Sequence, residues 1–259
     1  MRRIKLKPSL INKKQNETAD TGSLVLLFRI HCVIINLVIS MIIIAKIHTD
    51  FPTKFGIPRQ SGLVEELTGR IVFEPTFRSH DAIRGIDGFS HLWLIWKFNT
   101  PTENHSLTVR PPKLGGNVRM GVFATRSPFR PNNLGLSCVK LIGIDGSDLI
   151  VSGADLMDGT EIVDIKPYVP YADCHPDAVG GFSKDGSERL SVKCNRELIE
   201  LLPENKRDAL IKILELDPRP QYQDDPNRIY GFGFAGFEIR FTVKEKTISV
   251  KEIKKLTHC

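Results

Sequence analysis

The chain has 259 residues, 41% of them hydrophobic, which excludes intrinsic disorder and leaves room for one substantial core plus a smaller domain. A formal net charge of +6 and a pI near 9.1 lean towards a polyanionic partner. The five cysteines (Cys32, Cys138, Cys174, Cys194 and Cys259) are odd in number and contain no CxxC pair. They exclude a disulfide framework and a thiolate zinc site, and point to a reducing cytoplasm.

Residues 1–22 are basic and polar, and they precede an apolar run from Ser23 to Ala45. A membrane anchor, or the core of a signal sequence with a long basic lead, is one reading of that run. Arg29 and His31 oppose it, because a cation at bilayer depth costs a few kcal/mol. Met41 opens MIIIAKI, a β-branched segment that suits a first buried strand. The expectation is therefore a leader or mis-assigned upstream extension over 1–40, translation from Met41 and no stable membrane association.

From Met41 onward, short apolar stretches alternate with Gly- and Pro-rich turns. Strands are predicted over 42–47, 69–73, 89–98, 118–124, 134–144, 148–153 and 161–165. FSHLWLIWKF is apolar on both faces, as a strand paired on both edges would be. No strand–GxGxxG–helix unit occurs, so a Rossmann-type site is not expected. The predicted class is mainly β: an antiparallel or mixed, non-Rossmann β-barrel over 41–185, followed by a small α+β domain over 186–259. In that second part Asn195 is a candidate N-cap for RELIELL, and Pro203 is placed to open the helix ENKRDALIKILEL. The helix must stop before Pro218. IYGFGFAGFEIRFTV and KTISVKEIK read as two strands joined around Glu245.

The chemistry concentrates in VRPPKLGGNVRMGVFATRSPFRPNN, residues 109–133, which carries Arg110, Lys113, Arg119, Arg126 and Arg130 and no acid. Five cations on Pro- and Gly-shaped loops suit an anion-binding wall, with phosphate or RNA as the partner. IPRQ, at 57–60, is by spacing alone an ordinary turn. DLMDGTEIVDIKPY holds Asp155, Asp158, Glu161 and Asp164; an Asp-Gly turn or a solvated face accounts for them as readily as a binding role. In DPRPQY, Arg219 stands between two prolines near Tyr222, which suits phosphate contact and base stacking as well as a simple helix stop. Trp93 and Trp96 fall on opposite faces of one strand; His91, at least one of these tryptophans and Cys138 read as packing residues, and no metal ligand set is expected.

Taken in order, PRQSGLV, DGFSHLWLI, TVRPPKLGGNVRMGVFATRSPFRPNNLG, DLMDGTEIVDIKPYVPYAD and DPRPQY resemble the TrmO-type tRNA (adenine-N6)-methyltransferases, also called the TsaA-like or YaeB family. The resemblance runs from about Ile42 to the C-terminus, and residues 1–40 have no part in it. It implies a β-barrel enzyme, working as a homodimer, that uses S-adenosyl-L-methionine to methylate N6 of N6-threonylcarbamoyl adenosine beside the anticodon, particularly of threonine-accepting tRNAs. Cofactor contacts carried over by the resemblance fall on Pro58, Arg59, Gln60, Asn99, Thr100, Arg126 and Leu136, and on the turn of Leu156, Met157, Asp158 and Gly159. Phe-Asn-Thr at 98–100 departs from the His-Gln of some members, and Asn133 stands where some have proline, a change expected to be tolerated in a loop. Asp158 or Asp164 is the candidate base for the N6 proton. Arg110, Lys113, Arg119, Arg130, Arg219 and Tyr222 are the candidate RNA contacts, so 41–185 is expected to bind the cofactor and 186–259 to contact tRNA. A non-catalytic RNA-binding barrel is the alternative from another class.

Overall fold

The computed structural model describes residues 41–99, 106–183, 188–219 and 225–256. Thr100, Tyr222 and the run 1–40 lie outside the described residues. The elements, in chain order, are β1 (Ala45–His48), β2 (Thr68–Phe73), β3 (His91–Lys97), β4 (Thr108–Val109), β5 (Met120–Gly121), β6 (Leu134–Asp145), β7 (Asp148–Ser152), β8 (Thr160–Pro167), α1 (Pro170–Asp173), β9 (Ser191–Lys193), α2 (Arg196–Ile199), α3 (Glu204–Glu215), β10 (Tyr230–Phe234), β11 (Phe237–Lys244) and β12 (Thr247–Lys255). The mainly β class predicted from the sequence is what the chain adopts.

Six strands pair in a closed ring, β1-β2-β7-β6-β3-β8, with every neighbour antiparallel. Strand alternation sends Leu92, Leu94 and Trp96 of β3 into the ring against Ile47, Ile71, Leu149, Val151 and Ile162. Burying each such side chain contributes roughly 1.5–3 kcal/mol. The outward side of β3 is apolar for a separate reason. Trp93 packs on Tyr168 at 5.8 Å, and its indole Nε1 donates to Asp173 at 3.0 Å. Trp96 fits inside because Gly135 faces it across the β3–β6 ladder, where a Cβ would come within 2.3 Å of the indole.

A four-stranded sheet, β10-β11-β12-β9, forms the second layer and carries α3 on it. Ala209, Leu210, Ile213 and Leu214 of α3 share a core with Phe232, Phe234, Ile239 and Phe241, which Phe51, Val64 and Leu67 from the β1–β2 connection also enter. Residues Ile42–Cys259 accordingly form one compact unit. The caps are as the sequence reads them. Asn195 accepts from the Glu197 N–H at 3.2 Å, and Pro203 immediately precedes α3. The helix ends at Leu216, with Asp217 in the left-handed region (φ 51) ahead of Pro218.

Two predicted strands differ. Over 118–124 only Met120–Gly121 is extended, and Val122–Ala124 turns as a 3-10 helix. Val122 is drawn into the interior, and the Thr125 hydroxyl donates to its carbonyl at 2.9 Å, which bends the chain where alternation alone would extend it. IYGFGFAGFEIRFTV is two strands, because Ala235 (φ 50) and Gly236 (φ 81) make a tight hairpin turn inside it.

Candidate cofactor and RNA site

The ring registers fix which connections share an end. His48 pairs with Arg70, Ser152 with Thr68, Lys97 with Leu134, and Ile47 with Thr160. The β1–β2, β3–β6 and β7–β8 connections therefore leave the same rim. They contain IPRQ, the basic stretch and DLMDG respectively, so three motifs distant in sequence converge there.

The rim is knitted together through β6. This strand runs twelve residues while β7 has five, so its first half extends past β7 along one edge. The β1–β2 connection occupies that edge, where the Cys138 N–H donates to Ser61 Oγ at 3.1 Å. Ser137 points inward and is 1% exposed. Its Oγ accepts from Trp96 Nε1 at 2.9 Å and donates to Asp155 Oδ1 at 2.5 Å. Burial pushes the Asp155 carboxyl above its ordinary range, while the Ser137 hydroxyl, the Ser61 backbone and the nearby Arg126 charge pull it back. The sequence reading grouped Asp155 with Asp158, Glu161 and Asp164 as turn, solvated face or cofactor contact, and passed over Ser61 and Ser137. Its only available signal was a serine at an inward position of a strand.

On this frame Arg126 Nη1 donates to Gln60 Oε1, and Gln60 Nε2 donates to the Arg59 carbonyl. Pro58 is buried, and Arg59 turns the other way, its Nη2 3.5 Å from the Arg219 carbonyl and its charge near Asp217. The 156–159 turn is fastened at several points. Thr49 Oγ1 donates to the Leu156 carbonyl at 3.0 Å, and Gly159, at φ 74, donates to the Ile47 carbonyl at 2.9 Å. Thr160 Oγ1 donates to the Met157 carbonyl at 2.7 Å. Leu156 itself is core, whereas Asp158 stays at the surface, held by the Thr49 N–H at 3.0 Å and His48 Nδ1 at 3.1 Å. Leu136 points outward and is exposed. Asn99, also exposed, follows the point where Asn133 Nδ2 donates to the Phe98 carbonyl at 3.0 Å.

Next to the rim lies an open groove lined by Arg110, Arg119, Arg126, Phe123, Phe129 and Phe182, among others. Lys113 is exposed in the short 3-10 turn Pro112–Leu114, beside groove-lining Pro112. Arg130 is drawn inward instead, and its Nη1 donates to the Thr125 carbonyl at 3.1 Å.

Two residues from the sequence reading are not brought to this place. Asp164 lies along β8, opposite Ile95, and pairs with Lys166 at 3.0 Å. Arg219 has a side chain only 13% exposed, with Nε donating to both Asp217 oxygens at 2.9 and 3.1 Å. Its guanidinium is engaged by Asp217 at the end of α3.

Two family models match in tandem. The tRNA-methyltransferase O N-terminal domain covers residues 46–174, and the TrmO C-terminal domain covers residues 187–256. The chain belongs to the TrmO family. It is 38% identical over 221 residues to the tRNA (adenine(37)-N6)-methyltransferase of Escherichia coli K12, covering 80% of this chain and 94% of that relative. A protein of the same description from Eikenella corrodens is 44% identical over 162 residues, 61% of this chain and 92% of that one. A crystal structure of TrmO from Pseudomonas aeruginosa superposes with a TM-score of 0.70 at 31% identity, over 83% of this chain and 96% of that one. The TrmO match spans both the strand ring and the second sheet.

Proposed function

We propose that this chain is an S-adenosyl-L-methionine-dependent tRNA methyltransferase. It acts on N6 of N6-threonylcarbamoyl adenosine beside the anticodon, chiefly in threonine-accepting tRNAs, as a cytoplasmic homodimer. The residues 41–185 serve as the cofactor-binding domain and 186–259 as a supporting domain. One observation carries the reading: Gln60, Arg126 and the 156–159 turn, far apart in sequence, share a rim that borders a basic groove. Family membership supports it independently.

The residues present fit the cofactor. Arg126 offers a planar fork suited to the carboxylate of a methionine moiety, and Gln60 orients it from one side. The fastened 156–159 turn and Leu136 supply backbone and apolar surface. When bound, S-adenosyl-L-methionine supplies a methyl group on a sulfonium, already activated for transfer. The chain's own task is to hold N6 in line with that methyl and to exclude water. N6 gives up a proton as it gains the methyl, and Asp158, a rim carboxylate kept in place by Thr49 and His48, is the acceptor we assign. Arg110, Lys113 and Arg119 hold the RNA backbone. Exposed Ile142 and Ile144 on β6 give a second copy apolar surface to cover.

Incubation with S-adenosyl-L-methionine and tRNA that carries the threonylcarbamoyl group, followed by nucleoside mass spectrometry, tests the proposal. A methylated threonylcarbamoyl adenosine is the expected product. RNA binding without any cofactor binding in calorimetry would instead mark a non-catalytic RNA module.

A further inference from the structure

Phe123 is 74% exposed and Phe129 is 56% exposed, and both line the groove that holds Arg110, Arg119 and Arg126. Two large apolar rings in water beside three cations need an explanation, because neither ring contributes to either core. The backbone beneath them is tightly held. Val122, buried at 1% exposure, pins the 3-10 turn from which Phe123 projects, and the Thr125 hydroxyl closes that turn at 2.9 Å. Phe129 sits between Pro128 and Arg130–Pro131, its N–H donating to Ser127 Oγ at 3.2 Å. Arg130 ties the same loop to the Thr125 carbonyl at 3.1 Å. These are rings on fixed mounts, so ordering them on binding costs little.

We infer that Phe123 and Phe129 are stacking platforms for unpaired bases of an RNA loop, with the flanking arginines taking its phosphates. The inference rests on the tRNA reading above and deepens it. A base cannot be alkylated at N6 while stacked inside a helix, so the target and its neighbours must be splayed out, and an aromatic face stabilises them in that state. The acid-free interval around the rings, with nothing negative between Glu103 and Asp145, favours RNA over a neutral or mixed-charge protein surface. A second copy of this chain is the competing occupant.

The test uses the full chain and an anticodon stem-loop RNA, with a fully paired hairpin of the same length as control. Phe123→Ala and Phe129→Ala should each weaken stem-loop binding roughly five- to a hundredfold. They should leave paired-hairpin binding, S-adenosyl-L-methionine affinity and the salt slope of RNA binding unchanged. Phe123→Trp should retain affinity, and its added fluorescence should be quenched by the stem-loop. Arg119→Ala, by contrast, should lower the salt slope by about one. Unchanged stem-loop affinity in both alanine variants overturns the inference. So does a shift towards monomer in sedimentation with RNA affinity intact, which assigns the rings to a second copy. If the unaltered protein fails to bind the stem-loop at all, it is the tRNA reading that falls.

Discussion

The Ser137 hydroxyl donates to Asp155 Oδ1 at 2.5 Å while accepting from the Trp96 indole at 2.9 Å, so a buried aromatic inside the ring is wired to a carboxylate on the rim. Burial raises the Asp155 pKa, so the folded protein binds that proton more tightly than the unfolded chain does. By linkage, the contribution of Asp155 to stability is full below the ordinary Asp range and is lost as pH climbs through the raised native value. Asp155→Asn should flatten this decline, read as melting temperature against pH. An unchanged slope would show that Asp155 is not the group responsible.

Arg126→Ala should weaken S-adenosyl-L-methionine binding roughly ten- to a hundredfold, the worth of a charge-assisted hydrogen bond. The melting temperature should hardly move, because Arg126 is exposed and its bond to Gln60 lies outside both cores. Arg126→Lys should recover little, since an ammonium cannot present two parallel donors. Titration without RNA is decisive: intact cofactor affinity with weakened tRNA binding would move Arg126 to the RNA wall.

Arg219→Ala should act on the fold. It strips Asp217 of the partner that meets both its oxygens and leaves only the nearby charge of Arg59, and a part-buried carboxylate that loses its hydrogen bonds costs about 1–3 kcal/mol. Thermal melting should show the loss, Arg219→Ala with Asp217→Asn should regain part of it, and the salt slope of RNA binding should not change. A slope reduced by one unit would restore Arg219 as a phosphate contact.

Asn133→Pro tests a substitution that the resemblance makes look harmless. Asn133 is only 4% exposed and sits at φ 54; its N–H donates to the Arg130 carbonyl at 3.1 Å and its amide to Phe98. Proline fixes φ near −65° and has no N–H, so a loss exceeding about 1 kcal/mol is expected in denaturant unfolding.

Gly135→Ala should destabilise by roughly 1–3 kcal/mol through overpacking. The new methyl would lie 2.3 Å from the indole of Trp96, a ring already pinned by Ser137. A neutral result would mean that the indole can swing aside, and the Trp96–Ser137 hydrogen bond would then be dispensable.

Strand positions and helix caps were legible in the sequence because their causes are local. The period-two apolar pattern places 69–73 and 148–153 correctly, and Asn195, through its side-chain oxygen, and Pro203, through its fixed backbone, mark helix starts locally. The same local logic failed over 118–124, where burial of Val122 bent the chain, and at Ala235, a non-glycine residue in a left-handed turn. The motif residues Gln60, Arg126 and 156–159 could be named from their resemblance to a family. Their meeting could not be read from spacing, since it depends on how six strands register around a closed ring. Tertiary structure alone decided the remaining roles. Asp155 meets Ser137 eighteen positions away and Ser137 meets Trp96 forty-one away, whereas Arg219 finds its partner only two residues back. A carboxylate or guanidinium carries the same charge wherever it lies in a sequence; whether it faces solvent, cofactor or a buried partner is set by the packing around it.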